Sequence, residues 1–248
     1  MYDKTRLRVF AGPNGSGKTT LFKAFTKRYD PGYFINADEY EQQLTKGGLI
    51  DLTTIGLKAT QADLDIFSLT TEAKSLVEKA KSEDGSIDIE IRENFIVDRT
   101  KQSHSYEASY AAAFVRSLLF QNNRSFSIET VMSHESKVEA IRFANTLGYR
   151  TYLYFVCTEN PDINIGRVAN RVFKGGHPVE DSRVRDRFSR TLKLLIPAIG
   201  LVYRAYIFDN SGKQQIKLVA EVFEGNLKTK VGTLPQWFRD YLLPHYTI

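Results

Sequence analysis

The chain has 248 residues, of which 42% are hydrophobic and 25% are charged, and this composition is that of a globular protein rather than a disordered one. Lysine and arginine number 34 against 29 aspartates and glutamates, and this net charge of +5 is spread along the sequence, so it argues against nucleic acid as a partner. A single cysteine, Cys157, excludes an internal disulfide.

The N-terminal residues and the apolar runs argue against a secreted protein and a membrane protein. The N-terminus reaches charged residues at once, without the apolar run of a secretory signal. No apolar run approaches the ~18 residues that a membrane helix requires. We therefore expect a cytoplasmic protein with no membrane partner, in which Cys157, next to the apolar run Thr151–Val156, is a core residue.

Strand-like and helix-like segments alternate along most of the chain. The predicted strands are Arg6–Ala11, Tyr33–Asn36, Ser125–Ile128, Thr151–Cys157 and Tyr203–Phe208. The predicted helices are Lys18–Tyr29, Glu135–Leu147, Ile163–Phe173 and Asp181–Leu195. The run Thr151–Cys157 is almost continuously apolar, which is typical of a strand buried on both faces of a parallel sheet. The alternation predicts an α/β fold with a mostly parallel sheet flanked by helices.

Residues 41–124 interrupt this alternation and are too many for an ordinary connection. Gln61–Lys81 has helical periodicity, the isoleucines at 87, 89 and 91 alternate with acidic residues as in a half-exposed strand, and Ser105–Gln121 is again helical. We predict one kinase-like domain over residues 1–248 with a largely helical inserted subdomain at about 41–124. The aromatic C-terminal segment Leu234–Ile248 is assigned to packing.

The segment from Gly12 to Thr19 fits the pattern G-x-x-x-x-G-K-[ST] in full, after a predicted strand and before a predicted helix. Such a loop turns several backbone N–H groups toward phosphate oxygens, and the helix that follows adds its positive end. Lys18 would reach the outer phosphates of ATP and the Thr19 hydroxyl would bind Mg²⁺. The alternative is a glycine-rich turn with a solvent-facing lysine. The residues expected to hold the nucleotide are Gly12, Pro13, Asn14, Gly15, Ser16, Gly17, Lys18, Thr19 and Thr20.

Three classes of nucleotide hydrolase are disfavoured. The N-K-x-D guanine signature of GTPases and the L-S-G-G signature of ABC-type ATPases are both absent from the sequence. A hydrolytic Walker B motif would place Asp-Glu after four apolar residues, and the nearest candidate, Phe126–Glu129, lacks the aspartate. This absence weakens the interpretation as a motor ATPase without removing it.

Two predicted strands end in carboxylates, and the C-terminal strand ends of a parallel sheet form its ligand crevice. Asp38 follows the second strand and is expected beside the phosphate loop, either as general base and Mg²⁺ ligand or as the cap of the next helix. Glu129 and Thr130 end the third strand, where they would bind the acceptor; a cap or a contact to Mg²⁺-bound water is the alternative for Glu129. His134 follows as a further candidate for substrate binding, or as a surface histidine at a helix start.

A group of arginines lies on the two predicted helices that flank Gly175, Gly176 and His177. Arg167 and Arg171 share one helix face, and Arg183, Arg187 and Arg190 share a face of the next helix. We interpret the pair of helices as a lid that neutralises charge during transfer. For each arginine alone, a solvated helix face remains the alternative.

At these residues the sequence resembles the zeta toxin group of P-loop kinases. The matching segments are, in order, AGPNGSGKTT, FINADEY, SFSIETVMSHESK with the trailing GYRTYLYFV, RVANRVFKGGHPV, RDRFSRTL and FDNSG. They cover most of Arg6–Asp38 and Ser125–Gly212, and the insertion matches less distinctly. Two positions depart from the pattern, since Glu180 stands where relatives often have proline and Asp186 precedes Arg187 where they often have paired arginines.

The resemblance implies a kinase that uses ATP and Mg²⁺ and transfers the γ-phosphate to the 3′-hydroxyl of a UDP-N-acetylamino sugar. It implies phosphate and metal binding by Lys18 and Thr19, Asp38 as base, acceptor binding by Glu129 and Thr130, and catalytic roles for Arg171 and Arg187. It also implies a toxin with an antitoxin protein as partner. Two alternatives stay open: a P-loop kinase for a nucleoside or an RNA end, and an ATP-dependent switch that transfers nothing.

Overall fold

The computed structural model describes residues 4–100, 105–175, 179–212 and 215–246, and we number its elements in chain order. The strands are β1 (Arg6–Ala11), β2 (Tyr33–Ile35), β3 (Leu49–Asp51), β4 (Ile89–Arg92), β5 (Phe95–Asp98), β6 (Phe126–Thr130), β7 (Arg150–Cys157), β8 (Arg204–Asp209), β9 (Lys217–Phe223) and β10 (Asn226–Thr229). The helices are α1 (Lys18–Thr26), α2 (Ala37–Gly47), α3 (Gln61–Ser68), α4 (Thr71–Ser82), α5 (Ser105–Gln121), α6 (Ser136–Thr146), α7 (Pro161–Phe173), α8 (Asp181–Lys193), α9 (Leu195–Ile199) and α10 (Gln236–Tyr241). Two short 3₁₀ turns span Leu52–Ile55 and Leu243–His245.

The chain divides into two compact units. The first contains the described residues up to Gly32 and from Ser125 onward, and the second is Tyr33–Arg124. The second unit thus begins eight residues before the predicted insertion and includes β2 and α2. A single kinase-like domain with an insertion at 41–124 stays a prediction.

Six strands of the first unit form a sheet in the order β10-β9-β8-β7-β1-β6. The four strands β6, β1, β7 and β8 are parallel, and β9 and β10 add an antiparallel edge. α1 and α6, which follow β1 and β6, pack against the sheet, as in other crossover folds. The predicted α/β class with a mostly parallel sheet is confirmed, whereas the antiparallel edge had no counterpart in the prediction.

The two faces of the central strand β7 differ in burial. Leu153 and Phe155 are fully buried, while Tyr152 and Tyr154, which point the other way, are half-buried. α6 and α10 lie on the Leu153–Phe155 side, since Trp237 of α10 packs its ring against Phe155 at 6.1 Å. The expectation that Thr151–Cys157 is buried on both faces is therefore wrong at Tyr152 and Tyr154, whereas Val156, on the same face as these two, is fully buried.

The second unit combines α2 to α5 with a three-stranded antiparallel sheet in the order β3-β5-β4. The predicted single helix Gln61–Lys81 is wrong, because the Thr70 hydroxyl accepts from the Ala73 N–H at 3.2 Å and so starts a new helix, α4, after α3 has ended. The predicted helix Ser105–Gln121 is observed as α5 with the same bounds.

Two further expectations concern burial and membranes. Cys157 is fully buried at the end of β7, and burial raises the pKa of its thiol, so the predicted core role is confirmed. Within the described parts of the chain, none of the helices is both long and apolar enough to cross a bilayer.

Candidate active site

The four parallel strands of the first unit all end at the same edge of the sheet, at Ala11, Thr130, Cys157 and Asp209. The segments that follow these ends enclose a cleft of about 910 Å³. Its wall comes from the phosphate loop and the start of α1, from Glu129 of β6, from one face of α7 and from the residues after β8. This is where ligands bind in open parallel sheets.

The glycines of the phosphate loop are required by space as well as by backbone conformation. Gly12, Gly15 and Gly17 have φ of 150°, 72° and 104°, in the region that favours glycine. A Cβ at Gly12 would lie 2.0 Å from the Val156 carbonyl oxygen. At Gly15 and Gly17 it would lie 2.6 Å from the Asn164 carbonyl oxygen and 2.4 Å from the side-chain nitrogen of Asn210. The loop therefore cannot carry side chains at these positions without moving its neighbours.

Two asparagines fix the loop from outside. The Asn210 side chain donates to the Ser16 carbonyl at 2.7 Å, and the Asn164 side chain donates to the Asn14 carbonyl. Asn164 is fully buried and its side-chain oxygen accepts from the Thr158 hydroxyl. These hydrogen bonds fix the path of the loop backbone, and a loop of this kind turns N–H groups toward an anion. We assigned neither residue a role in holding the loop from the sequence. The signals were a polar residue directly after a strand, for Asn210, and a polar residue within a helix, for Asn164.

Lys18 and Thr19 begin α1 at the floor of the cleft. Lys18 is only 8% exposed and its ammonium group donates to the Pro13 carbonyl at 3.0 Å, so the alternative of a solvent-facing lysine is wrong. The Thr19 hydroxyl is 3.0 and 3.1 Å from the two carboxylate oxygens of Glu129 and donates to them. Glu129 is thus connected to the residue expected to bind Mg²⁺.

Two buried donors in this region have no acceptor within the described part of the chain. They are the Ser16 hydroxyl and one terminal guanidinium nitrogen, Nη1, of Arg167. The other terminal nitrogen of Arg167 donates to the Gly212 carbonyl at 3.4 Å. Burial lowers the pKa of Arg167, while the nearby Asp209 carboxylate raises it. A guanidinium nitrogen and a hydroxyl that are buried without acceptors suit an anionic ligand such as a triphosphate.

The two predicted lid arginines differ in position. Arg171 is exposed on α7 and lines the cleft. Arg187 is half-buried on α8 and is not among the described residues that line it. α7 ends before Gly175, whose φ is 85°, and the lid residues Gly176 and His177 lie outside the described residues. The lid therefore stays a prediction.

The acceptor-side candidates after β6 are held by local contacts. The Thr130 hydroxyl accepts from the Met132 N–H at 3.1 Å, and buried Met132 has a φ of 55°, a conformation that few non-glycine residues adopt. His134 is exposed, and its Nδ1 accepts from the Ser136 N–H at 3.2 Å, at the start of α6. These contacts match the alternative of a histidine at a helix start, and a substrate contact stays a prediction.

Asp38 is exposed in the first turn of α2, in the second unit. The cap of this helix is Asn36, whose side-chain oxygen accepts from the Asp38 N–H at 3.0 Å. Capping, the alternative role for Asp38, is therefore wrong. Its roles as base and metal ligand, and its position beside the phosphate loop, stay predictions.

The acidic side chains suit Mg²⁺ rather than a metal held entirely by protein. Among the described residues, no group of three or more His, Cys, Asp or Glu is placed to enclose a metal ion. Mg²⁺ keeps several waters and is bound by one or two protein groups together with substrate phosphates. The Thr19 hydroxyl and the Glu129 carboxylate beside it fit that pattern.

No protein-family model and no curated protein sequence matches the chain. Among solved structures, a chain of the AvrRxo1-ORF1:AvrRxo1-ORF2 complex with sulphate ions matches with a TM-score of 0.58 at 16% identity, over 99% of this chain and 66% of that chain. The same complex with ATP matches with a TM-score of 0.52 at 15% identity, over 92% and 61%. A chain from the PezAT chromosomal toxin–antitoxin system of Streptococcus pneumoniae matches with a TM-score of 0.46 at 14% identity, over 84% and 70%.

These likenesses establish the fold and no more. The chain spans 66% and 61% of the lengths of the two AvrRxo1 chains that it matches, and the identities are low. The parallel sheet, the phosphate loop and the matches agree, and they confirm the resemblance drawn from the sequence motifs at the level of fold. The chain is an α/β protein with a P-loop, and its fold is similar to that of the matched AvrRxo1 chains.

Proposed function

We propose that the chain is an ATP-dependent phosphotransferase that passes the γ-phosphate of ATP to a hydroxyl of a small acceptor. The observation that carries the proposal is the cleft of the first unit. Its floor is a braced phosphate loop with the buried cation Lys18, and its wall on α7 holds Arg167 and Arg171. Cations on two sides of one phosphate site serve transfer, because charge develops on the phosphoryl oxygens as the bond to the leaving group lengthens.

ATP would supply the phosphoryl group, and Mg²⁺ would offset the negative charge of the phosphate oxygens. Lys18 would exchange its present contact with the Pro13 carbonyl for the outer phosphates. The Thr19 hydroxyl would turn from Glu129 to the metal, and the freed carboxylate would accept from metal-bound water. Glu129 is then a metal-side residue, which departs from its assignment to the acceptor by resemblance.

A UDP-N-acetylamino sugar is the acceptor that the motif resemblance favours. In this proposal Asp38 accepts the proton of the sugar hydroxyl, and Thr130 and His134 contact the acceptor. Thr130 and Glu129 are neighbours in β6, so metal and acceptor contacts come from one strand end. The proposed compartment is the cytoplasm, where ATP is abundant and the one buried cysteine stays reduced.

A protein partner of the antitoxin kind is part of the same proposal. The matched AvrRxo1 chain was solved in the complex of AvrRxo1-ORF1 with AvrRxo1-ORF2, and the motif resemblance is to a toxin group. If the kinase depletes an essential sugar nucleotide, expression of the chain alone slows bacterial growth, and expression of the Lys18→Ala variant does not.

The test of the function is mass spectrometry of the acceptor. The protein is incubated with Mg²⁺, ATP that carries heavy oxygen in its γ-phosphate, and UDP-N-acetylglucosamine; a parallel reaction uses a metabolite extract. We expect one product that carries the heavy phosphate, and no such product with Lys18→Ala. A labelled product in the extract reaction alone would support the kinase activity and show that the acceptor is another compound. Labelled inorganic phosphate as the sole product would overturn the transferase.

A further inference from the structure

α7, the helix that carries the cations on the wall of the cleft, buries few side chains. Of its residues, all of which the structure describes, only Asn164 and Val168 are buried. A surface helix normally buries an apolar stripe, and here an amide takes one of the two buried positions. A buried amide costs free energy unless it is hydrogen-bonded, so the partners of Asn164 indicate its role.

Two hydrogen bonds fix the orientation of the Asn164 side chain. Thr158, directly after β7, is fully buried, and its hydroxyl donates to the side-chain oxygen of Asn164. The side-chain nitrogen of Asn164 donates to the Asn14 carbonyl of the phosphate loop. A carbonyl can only accept, so the amide nitrogen must face the loop and the amide oxygen must face Thr158. Asn164 thus connects the loop, the end of β7 and the start of α7.

The backbones of the loop and of α7 also lie directly against each other at this point. A Cβ at Gly15 would lie 2.6 Å from the Asn164 carbonyl oxygen and 3.2 Å from the Asn164 Cα. Close-packed backbones cannot move independently, because neither has room to shift toward the other. The position of the loop therefore constrains the position of α7 at Asn164.

The two arginines of the cleft wall follow Asn164 on the same helix. Arg167 and Arg171 come three and seven residues later, on the same side of α7. Arg171 is therefore about 10 Å along the axis from Asn164, and a tilt of about 10° at Asn164 would displace it by about 2 Å. A displacement of about 1 Å in a reacting site can cost on the order of 10²-fold in rate.

Other described contacts of α7 constrain it less. The ion pair between Asp162 and Arg185 of α8 joins side chains that are 69% and 53% exposed, and a pair of this kind contributes little. The hydrogen bond from Arg167 to the Gly212 carbonyl is long, at 3.4 Å. The hydrogen bonds of Asn164, by contrast, are buried and directional.

We propose that Asn164 is a positioning residue that couples the phosphate loop to the arginines of α7, so that the loop and Arg167 grip the triphosphate of ATP as one unit. The proposal rests on the proposed use of ATP but not on transfer of its phosphate. Arg167 has a buried nitrogen, Nη1, without an acceptor among the described residues, and it meets the ligand only if α7 stays in place. Loss of the Asn164 side chain therefore removes the contribution of Arg167 to ATP binding.

The test is a double-mutant cycle in ATP affinity, measured by titration calorimetry with Mg²⁺ and ATP on the full chain. The four proteins are the wild type, Asn164→Ala, Arg167→Ala and the double variant. We expect Asn164→Ala to weaken ATP binding about tenfold in the wild-type chain and less than about threefold when Arg167 is already alanine. A residue that only shaped the loop would cost the same factor in both backgrounds.

A matched pair of threonine variants guards against misfolding of Asn164→Ala. At the other end of the sheet, Asn145 of α6 donates to the Leu201 carbonyl at 2.7 Å and accepts from the Thr151 hydroxyl at 3.0 Å. Thr151→Val and Thr158→Val thus each remove a buried hydroxyl that orients an asparagine. Both should lower the thermal unfolding midpoint, but only Thr158→Val should weaken ATP binding, by about threefold or more.

Three results would overturn the coupling and leave the proposed kinase in place. They are an equal factor for Asn164→Ala in the two backgrounds, equal effects of Thr158→Val and Thr151→Val on ATP affinity, and normal ATP affinity in Arg167→Ala. Absence of ATP binding by the wild-type chain would overturn the proposed function, and the coupling with it.

Discussion

The phosphate loop and the residues proposed to move the phosphate are held in different ways. The loop is buried, its glycines leave no room for a Cβ, and two asparagines tie its carbonyls. Arg171 and Asp38, by contrast, are exposed on helix surfaces. The loop is thus fixed by its own contacts, whereas the side chains of Arg171 and Asp38 are open to solvent. Substitutions in the two regions should therefore fail in different ways.

The largest effect is expected at Lys18, the buried cation of the loop. Lys18→Ala should reduce phosphoryl transfer to the protein-free level, because the outer phosphates lose the cation that the fold places at the cleft floor. Initial rates of product formation measure this. Lys23→Ala, an exposed lysine on the same helix, is the control and should be silent. Transfer at the normal rate in Lys18→Ala would remove the loop from the mechanism.

The next largest effect is expected at Arg171. The sequence motifs treat Arg171 and Arg187 alike, but only Arg171 is among the described residues that line the cleft. Arg171→Ala should lower turnover by ~10³–10⁵-fold with little change in ATP affinity if it stabilises the transition state. Arg187→Ala should have a much smaller effect, because Arg187 is not among the described residues at the cleft. The two kcat values, measured side by side, decide it. Equal losses would mean that α8 also reaches the phosphate.

Asp38→Asn should lower turnover by ~10²–10⁴-fold, because an amide cannot take the proton of the acceptor. Since Asn36 and not Asp38 caps α2, the melting temperature should not change. Glu39→Gln, the next acid in the same turn, is the matched control. A stable variant with near-normal turnover would show that Asp38 is not the base and that another group accepts the proton.

Asn210→Ala should give the smallest effect, on binding rather than chemistry. Loss of its hydrogen bond to the Ser16 carbonyl costs about 1 kcal/mol and would weaken ATP binding several-fold, with kcat at saturating ATP nearly unchanged. Calorimetric titration with ATP measures it, and Asn226→Ala in the exposed β9–β10 turn is the control. A large loss of kcat would show that the brace also positions the reacting groups.

The loop and the parallel strands could be predicted from the sequence because their signals are local. A glycine pattern between a strand and a helix specifies both a backbone path and its ligand, and β1 has the bounds that its apolar run predicted. The braces could not be predicted, since Asn164 and Asn210 lie 150 and 194 residues from the carbonyls they hold, and the motif FDNSG that contains Asn210 does not indicate this contact.

The burial of β7 could be predicted only in part. Tyrosine counts as apolar in a sequence pattern, yet Tyr152 and Tyr154 are only half-buried in the structure.

The central claim is that the first-unit cleft grips the outer phosphates, and comparison of ATP with AMP tests it most directly. Titration calorimetry of both nucleotides in one Mg²⁺ buffer measures the two affinities. We expect ATP to bind the wild-type chain about a hundredfold or more tightly than AMP, which is a difference in binding free energy of ~2.7 kcal/mol. We expect the Lys18→Ala variant to lose most of this difference. Equal binding of ATP and AMP by the wild-type chain would contradict it, since the nucleotide would then be held by its base and sugar alone.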